Sequence, residues 1–311
     1  MKKWIKWLCA AAVTAGAVIG GAALLVPPPP EPPKPAPFPA VEAAAASVID
    51  GNTGVIRGDK AGEKKIYPAS TTKILTCIIA LEEGQALLDS DAVITPRAMA
   101  QDGTDLGVRP DMPISLREVI YGMMLVSGND AAVAVAETVG GSYDRFIEMM
   151  NEKAASIGVS HSHFANPNGL TRPDHYTTSN DMVKIAAYAM KNPAFREIVK
   201  QPSHPMVYRS GMYRIVENRN ELLPDGYPGV NGIKTGMTEA AGECLVASAE
   251  RDGRLVIAAV YDDENRWDDA KKLLDYGFAE AEAEKKYKEA LAAEPAFYKW
   301  VNHLLGRDRH A

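Results

Sequence analysis

Ser70 and Lys73 stand three residues apart in Ser70-Thr71-Thr72-Lys73. On a helix that spacing puts both side chains on one face. A serine hydroxyl is a weak nucleophile until a base takes its proton, and a lysine becomes that base once burial and neighbouring cations lower its pKa. A helix start adds positive potential and free backbone N–H groups. Taken alone, the pair also reads as an N-cap serine followed by a solvated surface lysine. Ser127-Gly128-Asn129 comes next along the chain. Its hydroxyl can relay a proton between an amine and a leaving nitrogen, and the Asn129 amide can grip both a substrate backbone and Lys73. Alone, it is a break between helices with a capping asparagine. Lys234-Thr235-Gly236 comes last. Lys234 and Thr235 offer a cation and a hydroxyl to a carboxylate, and Gly236 keeps a strand edge open to a substrate. The N–H groups of Ser70 and Met237 would then form the two halves of an oxyanion hole. Alone, this is a strand end followed by a turn. The three together suit attack on an amide carbonyl beside a free carboxylate. At average composition a Ser-x-x-Lys arises about once in such a chain and a Lys-Thr-Gly roughly 0.1 times, so the inference rests on the set and its order.

These residues need elements to hold them. From about Ala44 to Phe278 the pattern reads as one α/β domain. Ala46 to Asp50 and Val55 to Arg57 flank Gly51-Asn52-Thr53-Gly54, a hairpin signal. Pro68-Ala69-Ser70 opens a helix that runs to Glu83 and stops at Gly84. Helices are predicted over Leu116 to Val126, Asn129 to Val139, Ser142 to Ile157 and Asp181 to Met190. Val230 to Lys234, Leu245 to Glu250 and Leu255 to Tyr261 read as consecutive strands, with Asp252-Gly253 turning between the last two, and a helix starts at Trp267. Strands, a helical block, then strands that rejoin the first hairpin imply an antiparallel sheet with helices on both faces and a helical subdomain.

The flanks differ in character. Lys2, Lys3 and Lys6 precede an uncharged run of 19 residues from Leu8 to Val26. Positive charge before an apolar run sends the downstream chain across a membrane, so an extracytoplasmic domain is expected, either anchored by residues 1–26 or released by cleavage near Ala43 to Ala46. Nine prolines crowd Pro27 to Pro39, so residues 27–42 are expected as an extended linker. Residues 284–311 are expected as a helical tail, with Phe297, Trp300, Val301, Leu304 and Leu305 at helical spacing. That stripe either packs on its own domain, the commoner outcome, or lies on a membrane. The chain has 311 residues, 46% hydrophobic and 24% charged, with a net charge of -6 and no basic stripe, which argues against a nucleic-acid partner. Cys77 and Cys244 are expected as buried free thiols rather than a disulfide framework. His161, His163 and His175 with Asp174 and Asp181 lack metalloenzyme spacing, so neither a metal nor an organic cofactor is expected.

The motifs and their surroundings carry a resemblance. Tyr67-Pro68-Ala69-Ser70-Thr71-Thr72-Lys73, Leu125-Val126-Ser127-Gly128-Asn129-Asp130-Ala131-Ala132, Asn166-Pro167-Asn168-Gly169-Leu170 and Gly232-Ile233-Lys234-Thr235-Gly236-Met237-Thr238 are similar to the D-alanyl-D-alanine carboxypeptidases, the low-molecular-mass penicillin-binding proteins of peptidase S11. The resemblance implies a β-lactamase/transpeptidase-like fold with its catalytic domain over residues 43–283. It implies Ser70 as acylated nucleophile, Lys73 as base, Ser127 and Asn129 as partners, and Lys234 with Thr235 as carboxylate anchor. The implied substrate is a peptidoglycan stem peptide, with β-lactams as covalent inhibitors. Where members often carry His, this chain has Asn168. A class A β-lactamase is the nearest rival, but it resembles an enzyme using a loop glutamate, and no Glu occurs from Lys153 to Arg196. A non-catalytic wall-binding module would not need the complete motif set. Arg214, Arg219 and His204 precede the third motif, and the sequence does not place them.

Overall fold

The computed structural model describes residues 25–307. Strands β1 (Ala45–Asp50) and β2 (Ile56–Lys60) open the fold. A 3-10 turn over Ala69–Thr72 leads into α1 (Lys73–Glu83). Helices α2 (Pro96–Met99), α3 (Leu116–Leu125), α4 (Asn129–Gly140), α5 (Tyr143–Ile157), α6 (Ser179–Ala189) and α7 (Pro193–Val199) come next. The hairpin β3 (Ser203–Val207) and β4 (Tyr213–Glu217) precedes β5 (Val230–Thr238), β6 (Gly242–Arg251) and β7 (Arg254–Tyr261). Helices α8 (Arg266–Ala293) and α9 (Ala296–Leu304) close the described chain.

β1, β2, β5, β6 and β7 form one antiparallel sheet in the order β2-β1-β7-β6-β5. Alternation along the strands builds two cores. Ile49, Val246, Ile257 and Ala259 join the large core with α1, α3, α4 and α6, whereas Val48, Leu245, Ala247, Val256 and Ala258 join Leu273 and Leu274 of α8. Side chains two residues apart share a face of a sheet, so one set of strands feeds both layers. The sheet is antiparallel and covered by helices on both faces, with the remaining helices gathered in a block beside it.

Helices start where short polar side chains can accept orphan N–H groups. Ser115 accepts from the Glu118 N–H, Ser142 from Arg145 and Thr178 from Asp181. One expectation is corrected: Lys234-Thr235-Gly236 does not end its strand. β5 continues to Thr238, and the motif sits within an edge strand that, among the described residues, pairs with β6 alone. Gly236 and the threonines gave no apolar alternation from which to extend it. The short α7 and the β3–β4 hairpin also escaped sequence reading. Only Met206 and Val216 of that hairpin are buried, so it lacks a period-two signal.

The chain forms two compact units, Pro37–Phe278 and a second one from Met1–Ala36 and Ala279–Ala311. The apolar N-terminal run lies outside the described residues apart from Leu25 and Val26. Among the described residues no helix is long and apolar enough to cross a membrane. In the second unit, residues 27–36 carry no helix or strand. Asn302 Nδ2 donates to the Pro27 carbonyl at 3.1 Å and the Ala36 N–H donates to Glu280 at 2.7 Å. The tail stripe does not pack as a whole. Val301 is buried, while Phe297, Trp300 and Leu304 are 58%, 57% and 49% exposed. α9 instead turns Asn302 inward, where its amide bonds Pro27 and Glu294, and this rotates the aromatic side outward.

Candidate active site

Ser70 lies in the 3-10 turn just before α1 and caps nothing. Its Oγ is 2.9 Å from Lys73 Nζ, and Lys73 is fully buried at the first position of α1. Neither bland reading of the pair survives, since the lysine is not solvated and the serine is not an N-cap. Lys73 Nζ also donates to Asn129 Oδ1 at 2.7 Å and to the Asn168 carbonyl at 2.7 Å. The Asn129 amide is oriented by its own Nδ2, which donates to the Asp102 carbonyl at 2.7 Å. Both of these Lys73 partners can only accept.

This has a chemical consequence. A neutral amine has two N–H bonds and one lone pair. The two carbonyl oxygens take both N–H bonds, so the lone pair is left for the Ser70 hydroxyl, which donates to it. The Lys73 pKa is held well below its ordinary 10.5 by burial, aided by the Lys234 and Arg219 charges and opposed by Asp130. Burial and the neighbouring cations thus favour a neutral lysine, and in that state the two carbonyls leave its lone pair facing the serine.

Ser127 and Asn129 arrive from the junction of α3 and α4. Ser127 is 3% exposed and lies in the same cleft as Ser70. Its φ of 74° and that of Ala69 at 47° are left-handed in residues other than glycine. Each such position costs about 1–3 kcal/mol and is retained where surrounding structure enforces it. Asp130, three residues after Ser127, gathers the neighbouring loop. Its buried carboxylate accepts the backbone N–H groups of Leu106 (2.7 Å), Gly107 (2.8 Å), Val108 (3.0 Å) and Ala131 (2.8 Å). The loop it gathers brings the Asp102 carbonyl to Asn129 and Thr104 to the cleft.

The third wall is β5. Lys234 is 2% exposed, and burial with the Arg219 and Arg266 charges lowers its pKa to about 7. Gly236 faces the nucleophile turn. A Cβ there would lie 3.1 Å from the Ser70 nitrogen and from Ala69 Cβ, so glycine lets the strand edge close against the Ser70 amide. Thr235, Gly236 and Met237 line a cleft of about 430 Å³ together with Ser70, Ser127 and Arg219.

All eight residues expected from the sequence therefore meet: Ser70, Lys73, Ser127 and Asn129 on one side, Lys234, Thr235, Gly236 and Met237 on the other. Arg219 lines the cleft, with Nη1 donating to Thr104 Oγ1 at 3.2 Å. Arg214 donates to the Leu106 carbonyl at 2.6 Å and so holds the loop behind it. His204 sits apart, 2.8 Å from Glu118 and stacked on Tyr121. Sequence reasoning missed Arg266, which lines the cleft, lies 3.3 Å from Glu243 and donates to the Gly236 carbonyl at 3.3 Å. It comes from the start of α8, where an arginine gives no local signal. The Asn168 carbonyl was missed because a backbone acceptor has no signature in sequence. Cys77 and Cys244 are buried free thiols. No three His, Cys, Asp or Glu side chains among the described residues form a group able to hold a metal ion.

This constellation has counterparts. The sequence signature of peptidase S11, D-alanyl-D-alanine carboxypeptidase, matches residues 32–265. The D-alanyl-D-alanine carboxypeptidase DacB2 of Mycobacterium tuberculosis is 37% identical over 80% of this chain and 87% of its own length. DacF of Bacillus subtilis is 32% identical over 80% of this chain, which spans 65% of that relative's length. The crystal structure of the Streptomyces K15 DD-transpeptidase superposes with a TM-score of 0.72 at 32% identity, covering 78% of this chain and 100% of that one. The fold is the transpeptidase fold of that enzyme. Motif order, cleft geometry, sequence and fold agree: the chain belongs to the peptidase S11 family of serine-type D-alanyl-D-alanine carboxypeptidases.

Proposed function

We propose that this chain is a D,D-carboxypeptidase that removes the terminal D-Ala from peptidoglycan stem peptides through an acyl-enzyme on Ser70. The observation that carries the reading is the environment of Lys73: one nucleophile at 2.9 Å and two carbonyl acceptors at 2.7 Å around a buried amine. In the proposed reaction Lys73 takes the Ser70 proton as Oγ attacks the carbonyl of the penultimate D-Ala. The developing oxyanion is held by the N–H groups of Ser70 and Met237. Ser127 relays the proton from Lys73 to the departing D-Ala nitrogen, and the C–N bond breaks. Water then attacks the ester, gives a proton to Lys73, and the proton returns to Ser70 as the acid leaves. Lys234, Thr235 and Arg219 offer two cations and a hydroxyl to the terminal carboxylate. That favours a free C-terminus over an internal peptide bond.

The same cleft accounts for the expected handling of β-lactams. No carboxylate is bonded to Lys73 or Ser70 among the described residues; the groups that face Lys73 are amide oxygens. With no added base for the deacylating water, a penicilloyl ester on Ser70 is expected to persist, which sets this reading apart from a β-lactamase.

Mass spectrometry after incubation with diacetyl-Lys-D-Ala-D-Ala, and separately with benzylpenicillin, tests the proposal. D-Ala release together with a stable penicilloyl adduct on Ser70 is expected. Rapid turnover of the penicillin, or labelling that survives Ser70→Ala, overturns it. The N-terminal run of 19 uncharged residues after Lys2, Lys3 and Lys6 supports an extracytoplasmic domain associated with the membrane through that segment. The substrate is found in the same compartment.

A further inference from the structure

Behind the catalytic lysine lies a buried imidazole that none of the three motifs includes. His175 is 1% exposed. Its Nδ1 accepts the Ala165 N–H at 2.9 Å. Nδ1 is therefore unprotonated, and in the neutral ring Nε2 carries the hydrogen and donates to Thr72 Oγ1, 2.9 Å away. Burial above all lowers the His175 pKa to about 3, so the ring stays neutral at any working pH. Phe164 packs edge-on against the ring at 5.8 Å.

The two ends of this bridge matter. Thr72 immediately precedes Lys73 at the start of α1. Ala165 opens the loop Asn166-Pro167-Asn168-Gly169, which supplies one of the two carbonyls that orient the Lys73 amine. The loop is tied to the nucleophile segment at three places: Asn168 carbonyl to Lys73 (2.7 Å), Pro167 carbonyl to Thr76 Oγ1 (2.7 Å), and His175 to Thr72. Within the loop, Asn166 Oδ1 accepts the Gly169 N–H and Asn166 Nδ2 donates to the Leu170 carbonyl. The loop is thus closed on itself, and His175 links its start to the residue that precedes Lys73.

We propose that His175 is a positioning residue for the general base: by joining Thr72 to Ala165 it holds the Asn168 carbonyl on Lys73, and so keeps the amine lone pair on Ser70. This rests on the reading of Lys73 as the base. It predicts a loss in the chemical step and not in substrate binding, because Lys234 and Thr235, the carboxylate-facing groups of β5, belong neither to the loop nor to α1. A misplacement of reacting groups by about 1 Å can cost on the order of 100-fold.

The test uses the full chain with His175→Leu, His175→Gln, Thr72→Val and the Thr72→Val/His175→Leu double variant. Acylation by benzylpenicillin, and kcat and KM for diacetyl-Lys-D-Ala-D-Ala, are measured per titrated active site. His175→Leu is expected to slow acylation and kcat by about 10–100-fold with KM within about twofold. His175→Gln keeps a donor and an acceptor and is expected to recover most of the rate. Thr72→Val is expected to match His175→Leu, and the double variant to lose no more than either, because one bridge is removed in all three. An acylation rate for His175→Leu within twofold of the parent, additive losses in the double variant, or a loss confined to KM would overturn the proposal. If His175→Leu does not fold, Thr72→Val against His175→Gln decides on the same criteria. A parent protein that is not acylated at Ser70 would instead remove the reading of Lys73 as base, a different failure from a parent and His175→Leu that are acylated equally fast.

Discussion

Two lysines in this cleft face opposite requirements. In the proposed reaction Lys73 has to be neutral to accept a proton, and Lys234 has to be charged to hold a carboxylate. Burial and the Lys234 charge lower Lys73, while burial and the Arg219 and Arg266 charges bring Lys234 to about 7. In the free enzyme kcat/KM should therefore rise with pH as Lys73 loses its proton, then fall as pH climbs through about 7 and Lys234 loses its own. A bound carboxylate adds a counter-charge, so the alkaline limb of kcat should lie above that of kcat/KM. Lys234→Arg keeps its charge at all these values, and should move the alkaline limb of kcat/KM up by about one pH unit or more. An alkaline limb that stays in place in pH–rate profiles would assign it to another group. The same lowering has a stability consequence: the unfolded chain binds the Lys234 proton more tightly, so stability should grow as pH rises from about 7 toward 10.5. That these side chains could act together was legible in sequence because side-chain chemistry at fixed spacing suggests it. The Asn168 carbonyl was not, since any residue carries one. Asp130 was legible only as part of its motif, because its work is done on backbone N–H groups of a loop more than twenty residues upstream.

The elements matter through how closely they approach. β5 reaches the nucleophile turn only because Gly236 has no side chain, and the distances of 3.1 Å to the Ser70 nitrogen and 3.2 Å to the Thr71 nitrogen leave a methyl group no room without a shift of backbone. Gly236→Ala should displace the strand from the Ser70 amide and weaken one side of the oxyanion site. A loss in penicillin acylation of about 100-fold is expected, the size seen when one such donor is removed. An unchanged acylation rate would show that the strand edge is not part of the hole. Asp130→Ala leaves three backbone N–H groups of the Leu106–Val108 loop and that of Ala131 without their acceptor. It should destabilise the fold by about 3–5 kcal/mol, read as a lowered denaturant midpoint. Helix starts near Ser115 and Ser142 agree with the sequence reading, and α5 was readable from its one-sided apolar pattern, whereas the helix expected from Asp181 starts earlier, capped by Thr178. The length of β5 was not readable, because tertiary pairing with β6 extends a strand through Gly236 and polar residues whose local propensity stops it.

At the scale of the molecule, the sheet is closed by both ends of the catalytic unit. β1, from the start of that unit, pairs with β7 near its end, so the helical block between them is held as one long insertion. β5 is linked to β1 through β6 and β7, and lies at the sheet edge beside the Ser70 turn. The architecture could be inferred from strand–helix–strand order, whereas the exposed side of α9 could not, because period alone does not say which face a neighbour covers. This construction leaves the catalytic groups independent of the chain termini: the hydrogen-bond partners of Lys73 all lie within Pro37–Phe278. Removing residues 1–26 should therefore leave penicillin acylation of Ser70 unchanged, within about twofold, while moving the protein from the membrane to the soluble fraction, because the uncharged run from Leu8 to Val26 is the apolar stretch long enough to span a bilayer. Fractionation of cells expressing the full and shortened chains reads both effects. If the shortened protein still sediments with membranes, attachment by the N-terminal segment is wrong. Phe297, Trp300 and Leu304, outward-facing on α9, would then be the next residues to replace with serine.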